Sequence, residues 1–194
     1  MREAPAVLFS QEQIARRVSE IASEVTRTFE GRTVSVVGIM KGCLVFMADM
    51  IRAIPLDTSC HFLHATSYRE EGSGHARTAI VYSTEVPYEG QEILLLGDVV
   101  DTGITLSFLL DHIRERGPKT LRVCTLIDKA GERKVDVQPD WAAFSLREPL
   151  EGFIVGYGLD HAERYRGLPY LGTIPRPGAA GEGRKITISP GSGL

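Results

Sequence analysis

The 194 residues, 43% hydrophobic and 24% charged, suit one globular domain with a sizeable core. A formal net charge of -3 and a pI near 6.0 exclude a broad basic surface, so no nucleic-acid partner is expected and any anionic ligand must be held by local groups. Cys43, Cys60 and Cys124 have neither CxxC nor Cys/His spacing, which argues against a disulfide framework or zinc site. With no leader-like start and no run near the roughly 18 apolar residues that span a bilayer, the chain is expected to be cytoplasmic and free of membrane contact.

Ser10 and Gln13 have the spacing of a capping box, and Ile14, Val18, Ile21, Ala22, Val25 and Phe29 recur on one helical face until Gly31. Residues 33–39 form a β-branched run; beyond Gly42, the residues Cys43, Met47, Met50, Ile51 and Ile54 repeat at helical spacing up to Pro55. A strand is predicted over 58–63, a mobile loop containing Gly72 and Gly74 over 66–77, and a further strand over 78–83. Residues 92–96 are a nearly unbroken apolar run, as in a strand buried on both faces of a parallel sheet, and they stop abruptly at GDVVDTG. Leu106, Leu109, Leu110 and Ile113 mark another helix, which Gly117-Pro118 ends before a strand over 121–127.

This alternation predicts an α/β fold, a mainly parallel sheet flanked by helices with right-handed crossovers and ligands at the carboxyl ends of its strands. From Trp141 the apolar pieces shorten, to 142–146 and 153–155, which predicts a small C-terminal hood over 141–174 within a single domain of residues 1–174. The last twenty residues contain three prolines and five glycines, so 175–194 reads as a flexible tail.

The segment 93–106, ILLLGDVVDTGITL, sets two aspartates and two threonines where a buried strand gives way to a helix. Backbone N–H groups at the helix start, with the Thr102 and Thr105 hydroxyls, can surround a phosphate dianion, and Gly103 lets the backbone approach it. No lysine is needed, unlike in a P-loop. Taken alone, Asp101 or Thr102 reads equally well as a helix cap. Asp98 shifts the balance, because two carboxylates so close repel unless a cation, a sugar hydroxyl or a base uses them.

The stretch resembles the phosphoribosyl-pyrophosphate motif of the type I phosphoribosyltransferases, and the chain from Val7 to Ile174 is similar to their hypoxanthine-guanine branch, bacterial members above all. The resemblance implies magnesium-dependent purine salvage: transfer of 5-phosphoribosyl from phosphoribosyl pyrophosphate to a 6-oxopurine. It implies that Thr102, Gly103, Ile104 and Thr105 bind the 5-phosphate and that Asp101 faces N7 of the purine as general base or hydrogen-bond partner. Met40, Lys41 and Gly42 correspond to the pyrophosphate loop, in which relatives have a cis peptide before the lysine, a bond that sequence does not reveal here. Ser67 and Tyr68 correspond to the lid, which must keep water from an oxocarbenium-like transition state. Lys129 corresponds to the donor that selects O6 over an amino group, and Arg133 is a candidate phosphate ligand.

In the same way, Phe153 is expected to stack on the base, the Ile154 backbone to read its edge, Asp160 to help hold magnesium and Arg166 to meet the pyrophosphate. One departure stands out. Relatives carry two adjacent acids before the aliphatic pair, whereas this chain has Gly97-Asp98, leaving Asp98 to carry the ribose and metal contact. Gly97 therefore keeps open a purine-nucleotide sensor of the same fold without catalysis; an enzyme for xanthine or a pyrimidine is a weaker third reading. The five histidines have no ligand spacing and read as structural or exposed. The family implies a homodimer or homotetramer.

Overall fold

The computed structural model describes residues 4–69, 76–83, 85–150, 152–175 and 188–190. Strand β1 (Ala6–Phe9) leads into helix α1 (Gln11–Thr28), whose start is fixed by the predicted capping box. The Ser10 hydroxyl accepts from the Gln13 N–H at 3.3 Å while the Gln13 side chain accepts from the Ser10 N–H at 2.8 Å, satisfying two donors that the first helical turn leaves open. The expected face of α1, from Ile14 to Val25, is buried.

The main sheet contains β2 (Val34–Ile39), β3 (Thr58–Arg69), β4 (Ala76–Ser83), β5 (Glu92–Val100), β6 (Thr120–Asp128), β7 (Trp141–Leu146) and β10 (Ile188–Pro190), ordered β10-β7-β6-β5-β2-β3-β4. The five strands from β7 to β3 are parallel; β4 and β10 pair antiparallel at the edges. Alternate residues of the central strands feed two cores. Val34, Val36, Leu94 and Leu96 pack under α1 and α2 (Leu44–Ala53), whereas Val37, Ile93 and Leu95 pack under α3 (Ile104–Arg114). Burial on both faces is why these strands read as continuous apolar runs. Among the described residues, no helix is long and apolar enough to cross a membrane.

Four boundaries differ from the sequence reading. Trp141–Leu146, expected to open the hood, is instead a strand of the main sheet, its backbone paired with β6 on one side and β10 on the other. The second sheet is β1-β9-β8, from Ala6–Phe9, Leu171–Ile174 and Phe153–Val155, so the N-terminus supplies one of its strands. Phe9 and Phe144 stack with ring centroids 3.7 Å apart and join the two sheets. In the expected loop over 66–77, residues 66–69 and 76–77 are instead paired strand, in register from Ala65↔Ile80 to Arg69↔Ala76 after a shift between His64 and Ala65; residues 70–75, with Gly72 and Gly74, lie outside the described residues. Strand β5 runs on to Val100 because its ladder with β6 continues through Gly97↔Thr125 and Val99↔Ile127.

Candidate active site

Two strand-to-helix turns meet at the carboxyl ends of neighbouring parallel strands β2 and β5. The first is Met40-Lys41-Gly42, in which the Met40–Lys41 peptide is cis. The Met40 N–H donates to the Leu63 carbonyl at 2.7 Å, which ties this turn to β3. Gly42 is required by contact: a Cβ there would lie 1.8 Å from Asp98 Oδ2. Cys43, directly after it, is fully buried, and burial followed by the nearby Asp98 raises its thiol pKa, so it packs as a neutral side chain.

Asp98 accepts from the Val99 N–H at 2.7 Å. Burial raises its carboxyl above the ordinary range, against the pull of the Val99 N–H and of Arg166, and the like charge of Asp160 adds to the rise. Gly97 is not forced by packing. A Cβ there would meet nothing nearer than Thr125 Oγ1 at 3.6 Å and Ile39 Cδ1 at 3.7 Å.

The second turn carries Asp101, which is exposed, then half-buried Thr102 and Thr105 around buried Gly103. Gly103 takes φ 84° as the N-cap of α3, and a Cβ on it would come within 2.7 Å of Val137 and 2.9 Å of Arg133. Glycine is demanded twice, by conformation and by space. The segment after β6 buttresses this turn: the Lys129 N–H donates to Val100 O at 2.8 Å and the Lys134 N–H to Thr102 O at 2.9 Å. The Arg133 guanidinium donates to the Asp101 carbonyl and pairs with Asp128. Arg133, expected among possible phosphate ligands, is thus engaged in holding the turn. The Lys129 ammonium lies 3.6 Å from Glu132 and is 16% exposed.

The third part is the segment after β8, folded over the Lys41 turn. Tyr157, buried at φ 48°, donates its hydroxyl hydrogen bond to Asp49 of α2, and burial, reinforced by that carboxylate, raises the phenol pKa. A Cβ at Gly158 would come within 2.4 Å of the Gly42 carbonyl, so two glycines allow the backbones to touch. Arg166 donates to the Gly158 carbonyl at 2.8 Å and pairs with Asp160 at 2.7 Å and with Glu163 at 3.2 Å. Glu163 also pairs with Lys41 at 3.1 Å.

The first turn, the end of β5 and the segment after β8 line a cavity of about 400 Å³. Lys41 and Gly42 line it from the first turn, Asp98 and Val99 from β5, and Ile154, Leu159, Asp160, Glu163 and Arg166 from the hood side, with His64 of β3 beside them. Comparison with known proteins agrees with this geometry: residues 7–162 match the phosphoribosyl transferase domain. The chain belongs to the phosphoribosyltransferase family. It is 38% identical over 168 residues to the hypoxanthine-guanine phosphoribosyltransferase of Bacillus subtilis, covering 87% of this chain and 92% of that one. It is 34% identical over 179 residues to the hypoxanthine phosphoribosyltransferase of Escherichia coli, covering 90% and 97%. Among solved structures, a hypoxanthine-guanine phosphoribosyltransferase from Bacillus anthracis, with a HEPES molecule in its active site, superimposes with a TM-score of 0.82 at 37% identity, covering 89% and 99%.

Of the residues expected from this phosphoribosyltransferase's sequence, Lys41, Gly42, Asp98, Ile154, Asp160 and Arg166 share the cavity. The 101–105 turn follows Asp98 and Val99 along the chain without lining the cavity, and Lys129, also outside the lining, is tied to Val100 through its N–H. Phe153, 36% exposed, stacks on His161 with centroids 4.5 Å apart. Ser67 and Tyr68 lie on the backbone of β3, and their side chains are outside the described residues. Sequence reasoning missed His64 and Glu163 in the cavity wall, His161 behind Phe153, and the Tyr157–Asp49 bond. Lone histidines and acids carry no spacing signal, because the segments that hold them converge only in the fold.

Proposed function

We propose that the protein transfers 5-phosphoribosyl from phosphoribosyl pyrophosphate to hypoxanthine or guanine, giving the nucleoside 5'-monophosphate and pyrophosphate. The observation that carries this reading is the cavity where the Lys41 turn, Asp98 and the Asp160–Arg166 segment converge, beside the 101–105 turn. The relatives named above, which span nearly the whole chain, support the choice of a 6-oxopurine.

On this reading the 101–105 amides and threonine hydroxyls hold the 5-phosphate, while Lys41 and Arg166 meet the pyrophosphate. Phe153 and Ile154 receive the base, and Lys129 donates to O6. As pyrophosphate leaves, positive charge grows on the ribose; Asp98 and Asp101 lie where that charge is stabilised, and Asp101 accepts the purine proton. Asp98 and Asp160 fit magnesium: both offer hard oxygens to the cavity, and no third His, Cys, Asp or Glu completes a protein cage among the described residues. Such a set suits an ion held largely by substrate phosphates and water, which would offset the charge of the departing diphosphate. Ser67 and Tyr68 serve as the lid that excludes water.

The decisive assay supplies phosphoribosyl pyrophosphate and magnesium with hypoxanthine, guanine, xanthine or adenine, and follows pyrophosphate and nucleotide together. Stoichiometric release with the first two bases is the expected result. Gly97 favours a second reading, a nucleotide sensor, which predicts binding of the same ligands with no pyrophosphate released.

A further inference from the structure

Glu163 has no task in the mechanism above, yet it stands between the two cations assigned to pyrophosphate. Its Oε1 accepts from Lys41 Nζ at 3.1 Å and its Oε2 from Arg166 Nη2 at 3.2 Å, so each carboxylate oxygen answers one cation. The placement is imposed by the backbone. The Glu163 N–H donates to Asp160 Oδ2 at 2.8 Å, His161 and Arg164 exchange backbone hydrogen bonds of 3.2 Å, and Ala162 and Glu163 hold left-handed φ values of 53° and 59°. At 67% exposure, its side chain is free to swing into solvent.

A carboxylate bridging two cations offers the same oxygens and sign of charge as one phosphoryl group, but fewer of each. We propose that Glu163 acts as a built-in surrogate for the leaving group: it occupies Lys41 and Arg166 between turnovers and competes with pyrophosphate for them, weakening its hold and hastening its departure. The proposal rests on the phosphoribosyltransferase reading of the cavity. A diphosphate displaces Glu163 because it carries more charge and more acceptors; Glu163 returns as the diphosphate leaves. Because both ion pairs are solvent-exposed, the competition is modest and weakens with salt.

The test is calorimetric titration of the wild-type protein, Glu163→Gln and Glu163→Ala with magnesium pyrophosphate at low ionic strength, alongside steady-state kinetics. Both variants are expected to bind magnesium pyrophosphate about three- to tenfold more tightly, a gain that shrinks with added salt. Product inhibition should strengthen and the KM for phosphoribosyl pyrophosphate fall, with the purine KM unchanged. In a Lys41→Met background the gain from Glu163→Gln should shrink, since one of the contested cations is gone. Equal or weaker pyrophosphate binding by both variants overturns the proposal and leaves Glu163 as a support for Arg166. A wild-type protein that does not bind magnesium pyrophosphate overturns the reading of the cavity itself.

Discussion

Asp98 and Asp101 are close in sequence but meet different surroundings, and their chemistry diverges accordingly. Asp98 is pressed against Gly42 and lifted in pKa by burial, whereas Asp101 stands exposed at the start of the 101–105 turn with its carbonyl held by Arg133. If Asp101 is the base, Asp101→Asn should lower kcat by roughly 10²- to 10⁴-fold while changing the KM for phosphoribosyl pyrophosphate much less, as steady-state kinetics would reveal. If Lys129 is the donor to O6, Lys129→Ala should raise the KM for hypoxanthine and relax the rejection of adenine; a competition assay with both bases reads this directly. The two glycines beside Asp98 should respond oppositely. Gly42→Ala puts a methyl 1.8 Å from Asp98 Oδ2 and should raise the KM for phosphoribosyl pyrophosphate about tenfold or more, whereas Gly97→Ala meets ordinary van der Waals distances and should melt like the wild type.

At the level of elements, the site depends on where helices begin. α1 starts at a complete capping box, and removing the Ser10 hydroxyl exposes the Gln13 N–H without a replacement. Ser10→Ala should cost about 1 kcal/mol, visible as a lower urea midpoint with an unchanged slope. α3 starts differently, on Gly103 at φ 84°, which offers no side chain to cap it, and the Ile104 N–H reaches back to the Thr102 hydroxyl at 3.5 Å. The capping box, the apolar face of α1 and the helix after Gly103 were legible in the sequence, since each depends on neighbours within one or two turns. The β3–β4 pairing past Leu63 was not: polar residues that read as loop are held as strand by partners across the hairpin.

For the molecule as a whole, the charges at the two ends of the sheet have opposite uses. At the amino ends Glu92, with 6% of its side chain exposed, pairs with Arg32 at 3.1 Å and Lys119 at 2.9 Å, far from any substrate. Burial raises its carboxyl, but the Thr120 hydroxyl, Lys119 and Arg32 outweigh that and hold it below its ordinary value of 4.5. A lowered folded-state pKa means that the unfolded chain binds more protons in the window below that value. This stabilisation is therefore full above pH 4.5 and is lost as pH falls through the folded-state pKa. Glu92→Gln should cost about 1.5–3 kcal/mol at neutral pH and flatten the acid limb of stability, as denaturation midpoints from pH 3 to 7 would show. At the carboxyl ends, by contrast, Lys41, Glu163, Arg166 and Asp160 form a chain of ion pairs along the cavity wall, with Asp98 beside them.

The alternation of apolar runs, glycine turns and amphipathic helices, which act over short stretches of chain, determined the parallel α/β layout and located both strand-to-helix glycine turns. What that local chemistry could not decide is which distant segments touch. Trp141–Leu146 joined the main sheet rather than the hood because its partners, β6 and β10, are defined only once the sheet assembles. Likewise Glu163 came to rest between Lys41 and Arg166, and Gly158 against Gly42, because Tyr157 anchors that segment to Asp49 across the fold. Contacts of such long sequence separation leave no periodic trace along the chain, since their geometry is set by packing rather than by spacing.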